Sequence, residues 1–195
     1  MKFHQADQAW HYALDKIAAN GIDVITENRQ RTREVLNLFL EITNPLVGYP
    51  ITGSGWDMPA LEEYANSLIT FSYDLKGFDY TYSERMGRQI HYLTEMLRKY
   101  PTSRRATAFL WLPEKDLETG LHHPCQIMAD YKLRDGKLHA THVFRSHDIK
   151  DAWPQNVYGL AKLQESIADS LEVQAGSLST LSISAHYYVE RKKIQ

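Results

Sequence analysis

Residues 127–144 read IMADYKLRDGKLHATHVF. Ile127, Ala129, Tyr131 and Leu133 alternate with more polar neighbours, and Leu138, Ala140, His142 and Phe144 do so again. Between the two runs stands Asp135-Gly136, a pair that accepts the positive φ angles of a two-residue turn. Period-two alternation on both sides of such a turn predicts a β-hairpin with one buried face. Working outward, Leu160, Leu163, Ile167 and Leu171 fall on one helical face after the hairpin, and Leu178 to Val189 reads as a last strand after Gly176. Before the hairpin, Ala106 to Leu112 reads as a strand, Ser83 to Tyr100 as a long helix and Pro59 to Ile69 as a shorter one. Trp10, Ala13, Leu14, Ile17 and Ala18 share a helical face that ends near Asn20-Gly21. Leu36, Leu38, Leu40 and Ile42 predict a half-buried strand, with Arg29, Arg31 and Arg33 in a loop before it. Strands and helices in this mixed order, with a meander in the middle, predict an α+β fold.

The chain has 195 residues, 43% of them hydrophobic, which suffices for one substantial core, and no linker or repeat divides it. We therefore expect a single domain over residues 1–195. A formal net charge of -2 argues against a general nucleic-acid binder, while a few local arginines would still hold a small anion. The start of the chain lacks the apolar core of a signal peptide, and no apolar run reaches membrane-spanning length. A soluble cytoplasmic protein with no membrane partner is the expectation. The single cysteine, Cys125, cannot form an intrachain disulfide; it is either a packed thiol or a nucleophile.

The chemistry-bearing residues cluster between Pro124 and Tyr188. Cys125 follows Pro124 at the start of the hairpin, and a thiolate there could add to an electrophilic carbon. Taken alone, its commoner role is that of a small buried hydrophobe. Full pairing of the hairpin brings Arg145 close to Cys125, where a guanidinium could hold a phosphate and stabilise a thiolate; an ordinary strand-end ion pair is the alternative. Asp148 could simply cap a helix. The Asn156 amide offers a donor and an acceptor, which match O4 and N3–H of uracil, though capping is the commoner use of an asparagine. His186 and Tyr188 point to the same side of the last strand and could hold a sugar hydroxyl, or be no more than an aromatic face. A metal hydrolase using His122, His123 and His147 finds no matching ligand spacing, and no metal is expected.

Together these spacings resemble the thymidylate synthase family, in which a proline-preceded cysteine is followed 20 residues later by arginine-serine-x-aspartate. Here the motif is Arg145-Ser146-His147-Asp148; Asn156 follows Asp148 by eight residues, and the histidine-x-tyrosine pair His186 and Tyr188 comes thirty residues further. Ser103-Arg104-Arg105 and Trp111 also resemble family positions, so the likeness runs from about Tyr82 to the C-terminus and looks most like compact archaeal-type members. It implies a mixed β-sheet with flanking helices, its sheets packed back to back in an obligate homodimer. It implies reductive methylation of dUMP to dTMP, with 5,10-methylenetetrahydrofolate or a related tetrahydropterin as donor. Cys125 would form the covalent bond to C6 of the pyrimidine, Tyr82 would help remove the C5 proton, and Asn156 would read the base. Arg31, Arg145 and Ser146 would bind phosphate, joined by Arg104 and Arg105 from the partner subunit; Arg29 or Arg33 could replace Arg31. His186 and Tyr188 would contact the ribose, and Asp148 the donor's pterin.

The chain departs from the family at Gln126, where histidine is common, at Gln155, where bacterial members carry phenylalanine, and at Ala152, often glycine. It also stops soon after Tyr188, whereas bacterial members continue into a segment that closes over the folate. A pyrimidine nucleotide 5-hydroxymethylase acting on dUMP, dCMP or CMP, in which water replaces the final hydride, is the alternative enzyme. A nucleotide-binding homologue without turnover is the alternative outside catalysis.

Overall fold

The computed structural model describes residues 1–71, 80–117 and 123–190. In chain order its elements are β1 (Lys2–Gln5), α1 (Ala6–Asn20), β2 (Ile22–Ile25), β3 (Arg31–Asn44), α2 (Met58–Ile69), α3 (Tyr82–Lys99), β4 (Thr107–Phe109), α4 (Pro113–Asp116), β5 (Gln126–Arg134), β6 (Lys137–Asp148), α5 (Trp153–Ser170) and β7 (Gln174–Tyr188). The fold is α+β with one mixed sheet: the strand order is β1-β3-β7-β6-β5-β4, and β2 pairs with β3. β6 runs parallel to β7 and β1 parallel to β3, while the other pairs are antiparallel.

The hairpin forms as the alternation predicts except at Ile127, where the register shifts between Gln126 and Met128 and Gln126 is buried instead. Asp135 and Gly136 take φ of 50° and 71°, both in the left-handed region that a turn of this hand needs. Leu138, Ala140, His142 and Phe144 are all buried beneath the helices. α1 buries Ala6, Ala9, Trp10, Ala13 and Ile17, one stripe at helical spacing, and the Trp10 indole donates to Ile149 O at 2.7 Å, fixing α1 to the end of β6. Asp57 and Thr81 cap α2 and α3, accepting from the N–H groups of Ala60 and Glu84. α5 is the central helix: it buries twelve residues and contacts β6, β7, α1 and α2. Buried nearly all round, it needs a small residue, Gly159, where Tyr64 and Leu68 of α2 approach it.

Several expectations are corrected. The arginine-rich stretch is only partly a loop: Arg31 and Arg33 already lie on β3, paired with β2. Leu36 does not share the buried face of Leu38, Leu40 and Ile42 but is 62% exposed, because Asn37 takes a φ of 59° and shifts the alternation by one. The shift crosses the sheet. On β6 burial passes from Phe144 to His147, and on β7 from Ser182 to Ala185; the residues between them, Ser146, Ser184 and Leu36, are in register. The strand expected over Ala106 to Leu112 is limited to Thr107–Phe109, and β7 starts before Gly176.

The open face of the sheet carries an apolar row. Phe109, Met128, Val143, Leu181 and Phe39 are cross-strand neighbours on β4, β5, β6, β7 and β3. Phe39 and Phe109 are exposed and the other three partly so.

Candidate functional site

Beyond the line where the alternation shifts, the ends of β5, β6, β7 and β3 gather most of the expected site residues. Cys125 is half-buried at the threshold of β5, and Arg145 N–H donates to its carbonyl at 2.8 Å. A register shift between Gln126 and Met128 leaves Ile127 as an extra residue on β5 and brings Arg145 beside Cys125, where the sequence reading expects it. The Arg145 guanidinium donates to Pro124 O at 3.0 Å through Nε and to His123 O at 2.9 Å through Nη2. It also lies 6.0 Å from the Trp111 ring, which in turn stacks on His123 with centroids 4.8 Å apart. These contacts fix one edge of a cation that is otherwise exposed to solvent.

Burial raises the Cys125 thiol pKa; the nearby Arg145 charge pulls it down and the Asp148 carboxylate pushes it up. Tyr82 sits at the first position of α3, and its hydroxyl accepts the Gln126 N–H at 3.3 Å, one residue from the thiol. Tyr80, whose hydroxyl donates to His123 O at 3.3 Å, has its pKa pushed up to about 12 by burial first and by the neighbouring thiol second.

Ser146 stands opposite Ser184, and Asp148 opposite His186. Asp148 Oδ1 accepts the N–H groups of Lys150 and Asp151, both at 3.1 Å, so it shapes the turn before α5 but does not cap the helix, whose N-cap is Ala152. His186 and Tyr188 share a side, their rings meeting edge-on with centroids 5.5 Å apart. Arg31 lies at the same end of the sheet, its carbonyl accepting from Val189 N–H at 3.0 Å. Its guanidinium is held 2.5 Å from Asp23, and an arriving phosphate would have to compete with that carboxylate.

Asn156 lies in the first turns of α5 and is buried. Its Oδ1 accepts the Tyr64 hydroxyl at 2.9 Å, and its Nδ2 lies 3.3 Å from His147 Nε2. Neither Tyr64 nor the packing of His147 was foreseen. Tyr64 is 92 residues away in sequence, and no periodicity links it to α5. His147 was considered only as a metal ligand; it is buried with its ring nitrogens facing Ser182 and Asn156, and His122 lies outside the described residues.

Arg104 and Arg105 are not part of this cluster. Ala106 O accepts from Tyr131 N–H, and Thr107 pairs with Asp130. The two exposed arginines therefore lie near the turn end of the hairpin, about 20 Å along β5 from Cys125 at ~3.3 Å per residue. A concavity of about 680 Å³, lined by residues including Lys2, Glu41, Lys137, His139 and Asp169, lies at that turn end too and does not include Cys125.

The family model described as thymidylate synthase matches residues 54–194. A Methanosarcina acetivorans protein with the printed name "Putative thymidylate synthase" is 41% identical over 186 residues, 92% of this chain and 85% of its own. Proteins of the same name from Methanococcoides burtonii and Methanocaldococcus jannaschii are 38% and 36% identical, covering 96% and 94% of this chain and 88% and 87% of their own.

Proposed function

Since this chain belongs to the thymidylate synthase family, a family of methyltransferases, we propose that it reductively methylates dUMP to dTMP through a covalent bond between Cys125 and C6 of the pyrimidine. The observation that carries this reading is the meeting, at one end of the sheet, of the half-buried thiol with Arg145, Tyr82, Asp148, His186 and Tyr188.

A nucleotide phosphate is close to dianionic and fits a site built on Arg145, Ser146 and Arg31, with charge-assisted contacts setting its position. Fixing the phosphate at one end and the base edge at Asn156 holds C6 within reach of sulfur. His186 and Tyr188 contact the ribose between them. When Cys125 bonds to C6, electron density moves to C5, which becomes the carbon nucleophile. Elimination later returns the pair to sulfur after the C5 proton has left to solvent water by way of the Tyr82 hydroxyl, which passes on its own proton as it takes this one. Methylenetetrahydrofolate, or a related tetrahydropterin, supplies the one-carbon unit and the hydride that completes a methyl group. Asp148, three residues along β6 from Arg145 and near enough to Cys125 for its charge to act on the thiol, would hold the donor's pterin.

Arg104 and Arg105 lie too far from Cys125 to reach a phosphate bound in the same chain. We assign them to the partner's site in a two-fold homodimer, with the apolar row of the open sheet face as the interface.

The test is incubation with dUMP and methylenetetrahydrofolate, followed by mass spectrometry of the nucleotide. Formation of dTMP supports the reading. A hydroxymethyl product, heavier by one oxygen, would make the chain a hydroxymethylase. Unchanged dUMP with every tetrahydropterin tried would leave a nucleotide-binding homologue.

A further inference from the structure

Asn156 is held from two sides by groups that the reaction itself does not require. The Tyr64 hydroxyl donates to Oδ1 at 2.9 Å, and Nδ2 lies 3.3 Å from His147 Nε2. An amide nitrogen can only donate here, so Nε2 accepts and Nδ1 carries the ring proton. Nδ1 lies 2.9 Å from Ser182 Oγ and donates to it. The His147 ring is stacked on Phe144 with centroids 3.7 Å apart and planes 14° from parallel, so it cannot tilt away without losing that packing. We propose that Tyr64, His147 and Ser182 are positioning residues that hold the Asn156 amide in one of its two orientations, and that this orientation selects uracil over cytosine nucleotides. The inference rests on the reading of the site as a pyrimidine nucleotide site.

The selection follows from counting donors and acceptors. An asparagine side chain has two N–H groups and two oxygen lone pairs. Tyr64 uses one lone pair and His147 one N–H, which leaves one of each. Uracil presents an acceptor at O4 and a donor at N3, matching an N–H and a lone pair in that order. Cytosine presents a donor at N4 and an acceptor at N3, which demands the reverse order and therefore a flipped amide.

In the flipped state Nδ2 faces Tyr64 and Oδ1 faces His147. The imidazole must then move its proton to Nε2 and accept from Ser182. The Tyr64 hydroxyl must receive a hydrogen instead of giving one, and the Gln155 side chain, which also hydrogen-bonds Tyr64, must reorient to take its proton. The flip therefore needs His147, Tyr64 and Gln155 to rearrange together, and any one of them that does not leaves a buried group unpaired. Burial also lowers the His147 pKa to about 3, which keeps the ring neutral and its accepting nitrogen available.

The experiment measures dissociation constants for dUMP and dCMP on the full chain and on H147F, H147Q and Y64F, with thermal unfolding of each. The wild type is expected to prefer dUMP. H147F keeps a flat ring against Phe144 but cannot accept, and Y64F removes a single oxygen. Both are expected to shrink the dCMP/dUMP ratio of dissociation constants by about tenfold or more. H147Q, whose Oε1 can accept from Nδ2, is expected to keep most of the discrimination, an outcome that packing alone would not give. If H147F does not fold, the Y64F ratio decides. An unchanged ratio in folded Y64F overturns the proposal, as does equal binding of dUMP and dCMP by the wild type, and both outcomes leave the nucleotide site intact. Wild-type protein that binds neither nucleotide overturns the nucleotide reading itself.

Discussion

At Cys125 two opposite charges act against a background of burial. Desolvation raises the thiol pKa, and Arg145 offsets it while Asp148 adds to it. The resting group at neutral pH is therefore the thiol, and its reactivity should rise late in a pH titration. Iodoacetamide labelling is expected to show an apparent pKa above the ordinary ~8.5 of a free cysteine. Arg145→Gln should shift the profile further up, and Asp148→Asn should shift it down. Asn in place of Asp148 can still accept the Lys150 and Asp151 N–H groups, so the entry to α5 survives. Movement in the opposite directions would mean that these two charges do not set the thiol. The closeness of Arg145 to Cys125 was legible to within one residue: uninterrupted pairing about Asp135-Gly136 sets Arg145 opposite Gln126, and the register shift between Gln126 and Met128 that moves it to Cys125 leaves no mark in the alternation. Tyr64 was not, since an interaction between residues of α2 and α5 depends on how two helices meet and leaves no trace in local alternation.

Among the elements, α2 is held on α5 by a contact that only glycine permits. A Cβ on Gly159 would lie 2.6 Å from Cδ1 and Cε1 of Tyr64 and 2.9 Å from a Leu68 methyl carbon. Gly159→Ala should cost about 1–3 kcal/mol and, by displacing Tyr64, should weaken dUMP binding as well. A variant as stable as the wild type by thermal unfolding would show that α2 can slide. α4 is fixed to α3 by a buried ion pair: Arg85 and Asp116 side chains are 8% and 2% exposed, and Asp116 also accepts the Leu112 N–H at 2.7 Å. Asp116→Ala leaves a buried guanidinium unpaired and should cost about 3–5 kcal/mol, whereas the paired change Arg85→Met with Asp116→Leu should recover most of it. α1, α3 and the hairpin could be read from the sequence because each buries one regular stripe. β1 and β2 have four residues each and α4 a single turn, too short for a period to show. The shift in alternation was hidden for another reason. It depends on a positive φ at Asn37, and asparagine is equally at home in an ordinary strand-end turn.

For the whole molecule, the apolar row across five strands makes the oligomeric state a direct test of the proposed homodimer. Val143→Asp or Leu181→Asp should convert a dimer into a monomer in light scattering and abolish turnover; a wild-type monomer that turns over dUMP would refute the shared site. Stability should also fall in acid. Burial lowers the pKa of both His142 and His147 from 6.5 to about 3. Below pH ~6.5 the unfolded chain takes up protons that the folded chain refuses, and stability falls by about 1.4 kcal/mol per histidine for each pH unit toward 3. Thermal melts between pH 7 and pH 5 with no loss beyond that of the His142→Gln and His147→Gln variants would contradict this. The central claim, that Cys125 bonds to C6 of a uracil nucleotide and activates C5, is tested most directly by tritium release from dUMP labelled at C5. With methylenetetrahydrofolate or a related tetrahydropterin present, the wild type should release tritium to water and Cys125→Ser should release none. Retention of the label by the wild type, or equal release by both proteins, would contradict it.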